Sequence, residues 1–346
     1  MTEKQYGGST GRKIGNIVSN INNSKADKIL ADKNKFDGDN IINRSESISD
    51  SPISSDEEKI IRAGKIASQI KIYAKSIVRR GASLLEIAEK IEAEIEKLGG
   101  KPAFPVNLSI DNIAAHYTPS HDDKTIAQGL LKVDIGVSID GWAADTAFSI
   151  DLENNEENKK IIEASKDALN NALKVAKKGV STDEIGSIIS KTIESHGLSP
   201  IINLSGHSMN KYELHAGITI PNINDKKNVS LKEGLYAIEP FATTGSGRVH
   251  DGKPSGIYEL KETKNVRSLI AREVLEFIMQ EYNTLPFCSR WIVNKFGTRA
   301  LFGLKQLEDN GNLHHYNQLV EIPGSKVSQA EQTILISKDK VVVTTL

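Results

Sequence analysis

The stretch from Val133 to Thr146, VDIGVSIDGWAADT, limits what this chain can fold into more sharply than any other segment. Asp140-Gly141 is a two-residue hairpin signal, because a type I′ turn needs positive φ at both central positions, and alternating apolar and small or polar residues flank it. The register of the hairpin follows: Gly136 faces Asp145 and Asp134 faces Ala147. Val133, Ile135, Val137 and Ile139 then point to one face, while Asp134, Gly136 and Ser138 share the other with Ala143, Asp145 and Ala147. The two aspartates become diagonal neighbours, roughly 7–8 Å apart or somewhat less. Carboxylates at that separation repel each other unless a cation or a proton sits between them. A solvated hairpin face could also carry them, but the small residues around the pair leave room for a bound group.

Composition excludes several classes. The chain has 346 residues, enough for a large catalytic domain with a subdomain, and 44 Lys+Arg against 45 Asp+Glu give a formal net charge of −1. That balance argues against nucleic acid or an anionic membrane as the main partner. The single cysteine, Cys288, rules out an intramolecular disulfide framework and a cysteine-rich zinc site, and reads as core filler in a reducing compartment. No apolar run approaches the ~18–20 residues that span a bilayer, and the start MTEKQYGGSTGRK has no apolar signal core. A cytoplasmic location is expected.

Residues 1–53 are rich in Ser, Asn, Asp and Lys with balanced charge, which predicts a disordered arm. GGSTG (Gly7 to Gly11) matches a serine-hydrolase pattern, but the strand and helix which that motif requires are not visible around it. From residue 54 the texture changes. Ser55-x-x-Glu58 reads as a capping box opening a helix that Gly81 ends, with Ile61, Ile66, Ile70, Tyr73 and Ile77 at helical spacing. Ser83-x-x-Glu86 and Ser181-x-x-Glu184 open two more helices, which stop at Gly99-Gly100 and near Gly197, with a long helix at about 157–178 between them. FPVNLSI, the aspartate hairpin, IINLSGHSM, GLYAIEPFA, TILIS and KVVVTT read as strands, so an α+β architecture is expected. A helical pattern between Glu259 and about Glu308 reads as an inserted subdomain.

None of the eight histidines lies in H-E-x-x-H, no phosphate-binding Walker loop occurs, and GSGRVHDG lacks the third glycine of a dinucleotide loop. The remaining candidates sit on strands or at their ends. His207 lies in SGHSMN and His215 in ELHAGITIP, where a lone histidine more often has a structural hydrogen-bonding role. Glu239 follows the apolar run Leu235–Ile238 and precedes Pro240, a place where an unpaired buried carboxylate is costly. Glu331, in SQAEQTILI, reads by itself as a solvated strand end. Together, two Asp, one His and two Glu form a five-ligand set suited to two hard or borderline divalent ions rather than a structural zinc. Two such ions ~3.5–4 Å apart can activate water and polarise a carbonyl.

The segments NLSIDNIAAHYTP, VDIGVSIDGWAADTAF, SGHSMNKYELHAG, YAIEPFAT and SQAEQTILI, in this order from about residue 55 to the C-terminus, resemble the successive motifs of type 2 methionine aminopeptidases. The resemblance implies the pita-bread fold and removal of initiator methionine when the second residue is small. It implies that Asp134, Asp145, His207, Glu239 and Glu331 ligate two divalent ions (Co, Mn, Fe or Zn), with Asp145 and Glu331 bridging them. By the same resemblance His116 lies beside the scissile bond and is the residue alkylated by fumagillin-type epoxides, and His215 is a second catalytic histidine hydrogen-bonding the peptide. Glu239 doubles as proton shuttle and Tyr316 lines the methionine pocket. The helical insert separates type 2 from type 1 members, and Asp111 departs from the Asn common in relatives. N-terminal peptides of nascent proteins, with the ribosome as neighbour, are the implied partners of a monomer; no membrane and no specific nucleic acid are implied. Two other readings share this fold, a Xaa-Pro peptidase and a non-catalytic, proliferation-associated RNA- or partner-binding relative.

Overall fold

The computed structural model describes residues 54–338 and 340–346, so the arm at 1–53 and its GGSTG sequence lie outside the described residues. The hairpin forms at the expected turn, with φ of 50° at Asp140 and 84° at Gly141. Its register is the one the turn chemistry requires, with Gly136 opposite Asp145 and Asp134 opposite Ala147.

In chain order the helices are α1 (Ser55–Ile77), α2 (Leu84–Lys97), α3 (Glu156–Val175), α4 (Thr182–Ser195), α5 (Leu269–Glu281), α6 (Ser289–Phe296) and α7 (Ala300–Asp309). The strands of the N-terminal part are β1 (Lys101–Pro102), β2 (Asn107–Ile110), β3 (Ile113–Ala115), β4 (Leu130–Ile139) and β5 (Trp142–Asp151). They are followed by β6 (Ser199–Pro200), β7 (Ser205–Met209), β8 (Thr219–Pro221), β9 (Gly234–Ile238), β10 (Phe241–Thr243) and β11 (His250–Leu260). The last strands are β12 (Phe287–Cys288), β13 (Leu313–Val320), β14 (Val327–Gln329), β15 (Gln332–Ser337) and β16 (Lys340–Val343). Among the described residues no helix is long and apolar enough to cross a membrane.

Two helix-on-sheet layers carry the site. In the first, Ile66, Ile70, Ile87 and Ile91 of α1 and α2 bury against Leu108, Val133, Ile135 and Val137 of β2 and β4. In the second, Ile161, Leu169, Ile185 and Ile189 of α3 and α4 bury against Tyr236, Ile238, Ile334 and Ile336 of β9 and β15. The sheets behind these cores are a β1-β4-β2 path with β5 beside β4, and a β16-β15-β9-β7-β8 path. A third core joins α5, α6 and α7 to β11, β12 and β13 through Val274, Ile278, Phe287, Ile292, Leu304 and Leu313. Cys288 of β12 is fully buried and its thiol pKa is pushed up to about 12 by burial, which leaves it inert.

Several boundaries differ from the sequence expectation. The first capping box is Ser54 with Glu57, one residue earlier than expected. That phase buries Ile60, Ala63 and Ala67, whereas Ile61, Tyr73 and Ile77 are only half-buried. Helix α1 ends at Ile77, ahead of Gly81. Ser181 caps the Asp183 N–H rather than that of Glu184. Asp111 stands at φ 47°, a left-handed conformation that Asn and Asp adopt more readily than other residues. Its carboxylate accepts from Leu130 N at 2.9 Å, a bond that needs an acceptor there.

Candidate metal centre

Strand β5 ties the two layers together and sets the site. Thr333 Oγ1 accepts from Asp145 N and donates to Asp145 O, both at 2.8 Å. Glu331 N donates to Ala147 O at 3.1 Å, and Thr146 Oγ1 donates to Glu331 O at 2.9 Å. Farther along, Ser149 Oγ donates to Gln329 O at 2.8 Å. These bonds bring Glu331 beside the aspartate pair and bury it to 1% exposure, so the solvated strand end expected for Glu331 alone is incorrect. On the other side of β15, β9 pairs with β7 so that His207 faces Ala237, and Glu239 follows directly after the strand.

All five sequence-derived candidates converge. One ligand atom each from Asp145, His207 and Glu331 lies within 4.8 Å of the others, and the same holds for Asp134, Glu239 and Glu331. His207 Nε2 is 3.7 Å from Asp145 Oδ2. Buried polar atoms almost always have partners. Here Asp134 Oδ1, Asp145 Oδ1, both Glu331 oxygens and His207 Nδ1 are buried with none among the described residues. Lys71 acts on Glu331 from α1, yet its ammonium donates to Thr146 Oγ1 at 3.2 Å and Thr345 O at 2.8 Å instead.

The electrostatics follow from that crowding. Burial raises Asp134 to about 6. Asp145 is raised well above the usual carboxylate range by burial and by Asp134. Glu239 is raised by burial and by both aspartates, and Glu331 by burial and by Asp145, Glu239 and Asp134. His207 is pushed down to about 3, chiefly by burial, and so presents the neutral imidazole that ligates metals. Oxygen donors with one neutral nitrogen and orphaned buried lone pairs fit divalent cations; Asp134, Asp145, His207, Glu239 and Glu331 would hold them.

A cavity of about 400 Å³ opens onto this cluster. His116, His215 and Tyr316 line it together with apolar side chains that include Phe104, Phe241, Ile257 and Leu319. His116 sits at φ 64°, a conformation rare for a side chain of its size and one that marks functional sites. Its Nδ1 lies 3.1 Å from the Asn317 carbonyl, which can only accept. The proton is therefore on Nδ1, and Nε2 keeps its lone pair in the neutral ring, whose pKa burial lowers to about 4. Its ring is 5.5 Å from that of Tyr316, whose hydroxyl donates to Glu259. The His215 ring is 4.4 Å from the His207 ring. A larger groove of about 860 Å³, between α2, the hairpin tip and α5–α6, contains none of these residues. Volume alone therefore misdirects; the converging donors identify the site.

Sequence reasoning missed Gln329. Its Nε2 donates to Glu239 Oε1 at 2.8 Å and to Asp134 Oδ2 at 3.3 Å, which fixes the orientation of both carboxylates. Its place two residues before Glu331, on the same side of an extended chain, was the available signal.

Residues 58–280 match metallopeptidase family M24. The methionine aminopeptidase of Pyrococcus horikoshii is 46% identical over 295 residues, covering 84% of this chain and 99% of its own length. Among solved structures, a thermophilic Arx1 superposes with a TM-score of 0.72 at 18% identity, covering 85% of this chain and 91% of that one. The prolidase from Pyrococcus furiosus gives 0.54 at 20% identity, covering 85% of this chain and 64% of its own. At such identities these two likenesses speak for the fold alone, which is the pita-bread fold expected from the motifs. The Xaa-Pro reading and the non-catalytic reading are not favoured.

The carboxylate shifts set a pH dependence. A group whose folded pKa is raised stabilises the fold below its unfolded pKa and loses that contribution as pH rises through the folded value. His207 and His116, with lowered pKa, act in the opposite sense, but only below about 6.5, the ordinary histidine value. Above about pH 6.5, where the histidines no longer oppose the trend, chelator-stripped protein should therefore lose stability as pH rises through the raised pKa of Asp145, Glu239 and Glu331. Mn²⁺ or Co²⁺ should raise the melting temperature, and by more at pH 8 than at pH 6, because ligation displaces those protons. A melting temperature indifferent to saturating metal would mean that the acids do not bind it.

Proposed function

The chain belongs to metallopeptidase family M24 and, within it, to the methionine aminopeptidases, and on that premise we propose that it removes the initiator methionine from nascent proteins with a small second residue. The observation that carries this reading is the set of orphaned donors on Asp134, Asp145, His207 and Glu331 at one end of a cavity flanked by His116 and His215. Two divalent ions are supported by two donor groups that share Glu331. When bound, such ions supply Lewis acidity to a peptide carbonyl and lower the pKa of water. Co, Mn, Fe and Zn all suit this donor set. The type 2 assignment is supported by the helices α5–α7, with a core of their own, between Glu239 and Glu331. A chain emerging from the ribosome presents the free N-terminus that this cavity would accept.

The chain's own groups divide the remaining work. Glu239, held by Gln329 at Oε1, takes a proton from attacking water and returns it to the departing amine. The Nε2 lone pair of His116 accepts from the peptide N–H, and His215 hydrogen-bonds the peptide at the cavity mouth. Tyr316, fixed through Glu259, forms part of the wall around the methionine side chain.

Two expected outcomes test this. Peptides beginning Met-Gly, Met-Ala, Met-Ser and Met-Thr should release methionine in the presence of metal, while Met-Lys and Met-Trp peptides are spared. Equal kcat/KM for Met-Ala-Ser and Met-Lys-Ser would refute the size filter. His207→Ala should lose both metal and turnover. His116→Ala and His215→Ala should keep their metal and lose about 10²–10⁴-fold in rate, the range for positioned proton donors and acceptors. Metal analysis beside turnover separates the two classes, and loss of metal from His116→Ala would disprove its assignment.

A further inference from the structure

A second buried charge cluster lies outside the acid site. Arg290 on α6 is 1% exposed and Glu92 on α2 is 7% exposed. Arg290 Nη1 and Nη2 donate to the two Glu92 oxygens at 2.7 and 2.8 Å, and Nε donates to Pro119 O at 3.0 Å. Glu92 also accepts from Trp291 Nε1 at 2.9 Å and from Val106 N at 3.2 Å. A buried ion pair is weak evidence for stability, because well-packed apolar residues can often replace it without loss. What a bidentate guanidinium–carboxylate pair supplies is a fixed plane and distance between the elements that carry it.

Those elements are the walls of the candidate site. Pro119 is three residues from His116, whose left-handed backbone has to be held by its surroundings. Val106 precedes Asn107, which lines the cavity and pairs in register with Asp134. Arg290 follows β12, whose Cys288 pairs with Ile257 of β11, and both Ile257 and the nearby Pro286 line the cavity. Segments distant in sequence thus meet at one ion pair, Val106 at the Glu92 carboxylate and Pro119 at the Arg290 guanidinium, and none of these bonds reaches the cavity itself.

We infer that the Glu92–Arg290 pair is a positioning pair for the methionyl-peptide site, setting the distance of His116 and of the Ile257–Pro286 wall from the metal-binding acids. The inference rests on the function proposed above. Neither residue touches substrate; each acts through the backbone that it holds. Misplacement of a reacting group by about 1 Å can cost on the order of 10²-fold in rate.

The test is the double replacement Glu92→Met/Arg290→Met beside the single Arg290→Lys, each assayed as folded, metal-loaded enzyme on Met-Ala-Ser. The apolar pair should fold with metal content close to wild type and a lowered melting temperature, because Val106 N and Trp291 Nε1 lose their acceptor. Its kcat should fall at least ~10-fold, with a smaller change in KM. Arg290→Lys keeps the charge but loses the fork to Glu92 and the bond to Pro119, and should fall between the two. A purely structural pair would move the melting temperature and leave kcat and KM per folded, metal-loaded molecule unchanged. Values within twofold of wild type in the double variant overturn the inference, and if that variant does not fold, Arg290→Lys decides by the same criterion. Should wild-type protein release no methionine, the proposed function falls and the inference with it; should wild type cleave and the variants match it, only the inference falls.

Discussion

Four carboxylates and one imidazole crowd together in the interior, with buried oxygens on Asp134, Asp145 and Glu331 that no donor among the described residues satisfies. Burying unpaired charge is among the costliest things a fold can do. The fold can tolerate the cluster in two ways, by holding protons on the acids or by placing cations between them. The raised pKa of all four acids describes the first state. The second is the one in which the family's chemistry occurs, and the two are exchangeable because a metal displaces the protons.

Much of the surrounding structure serves to hold this crowding in place. Thr333 and Thr146 lock β5 to the segment carrying Glu331, and Gln329 turns Glu239 and Asp134 toward each other. Close backbone approach is required as well. A Cβ on Gly206, the residue before His207, would lie 2.3 Å from Ala237 O, and one on Gly136, opposite Asp145, would lie 2.3 Å from the Phe104 ring. Glycine at these two places lets β7 reach β9 and lets Phe104 lie over the hairpin face, which brings the histidine and the apolar cavity wall to the acids.

How much of this was legible in the sequence depended on the range of the interaction. The hairpin register was readable because its turn is a two-residue local event, and the aspartate pair came with it. The first helix start was off by one because Ser54-x-x-Glu57 and Ser55-x-x-Glu58 satisfy the same local rule, and tertiary burial of Ile60 selects between them. Glu331 looked solvated because its burial comes from Ala147 and Thr146, 184 and 185 residues away in sequence (331 − 147 and 331 − 146). Glu92 and Arg290 are 198 residues apart, and nothing local to either one signals the pairing. Motif resemblance gathered the five acid-site residues, while the residues that brace them became visible only in three dimensions.

Glu331 belongs to both donor groups, so it offers the most direct test of the claim that the buried acids form one divalent metal centre. The measurement is Mn²⁺ binding by equilibrium dialysis with metal analysis, on wild-type protein and on Glu331→Gln of the same fold by circular dichroism. Wild type should bind about two ions per chain, and the substitution should weaken both, since each site loses a charged donor. Unchanged stoichiometry and affinity in Glu331→Gln would contradict the claim.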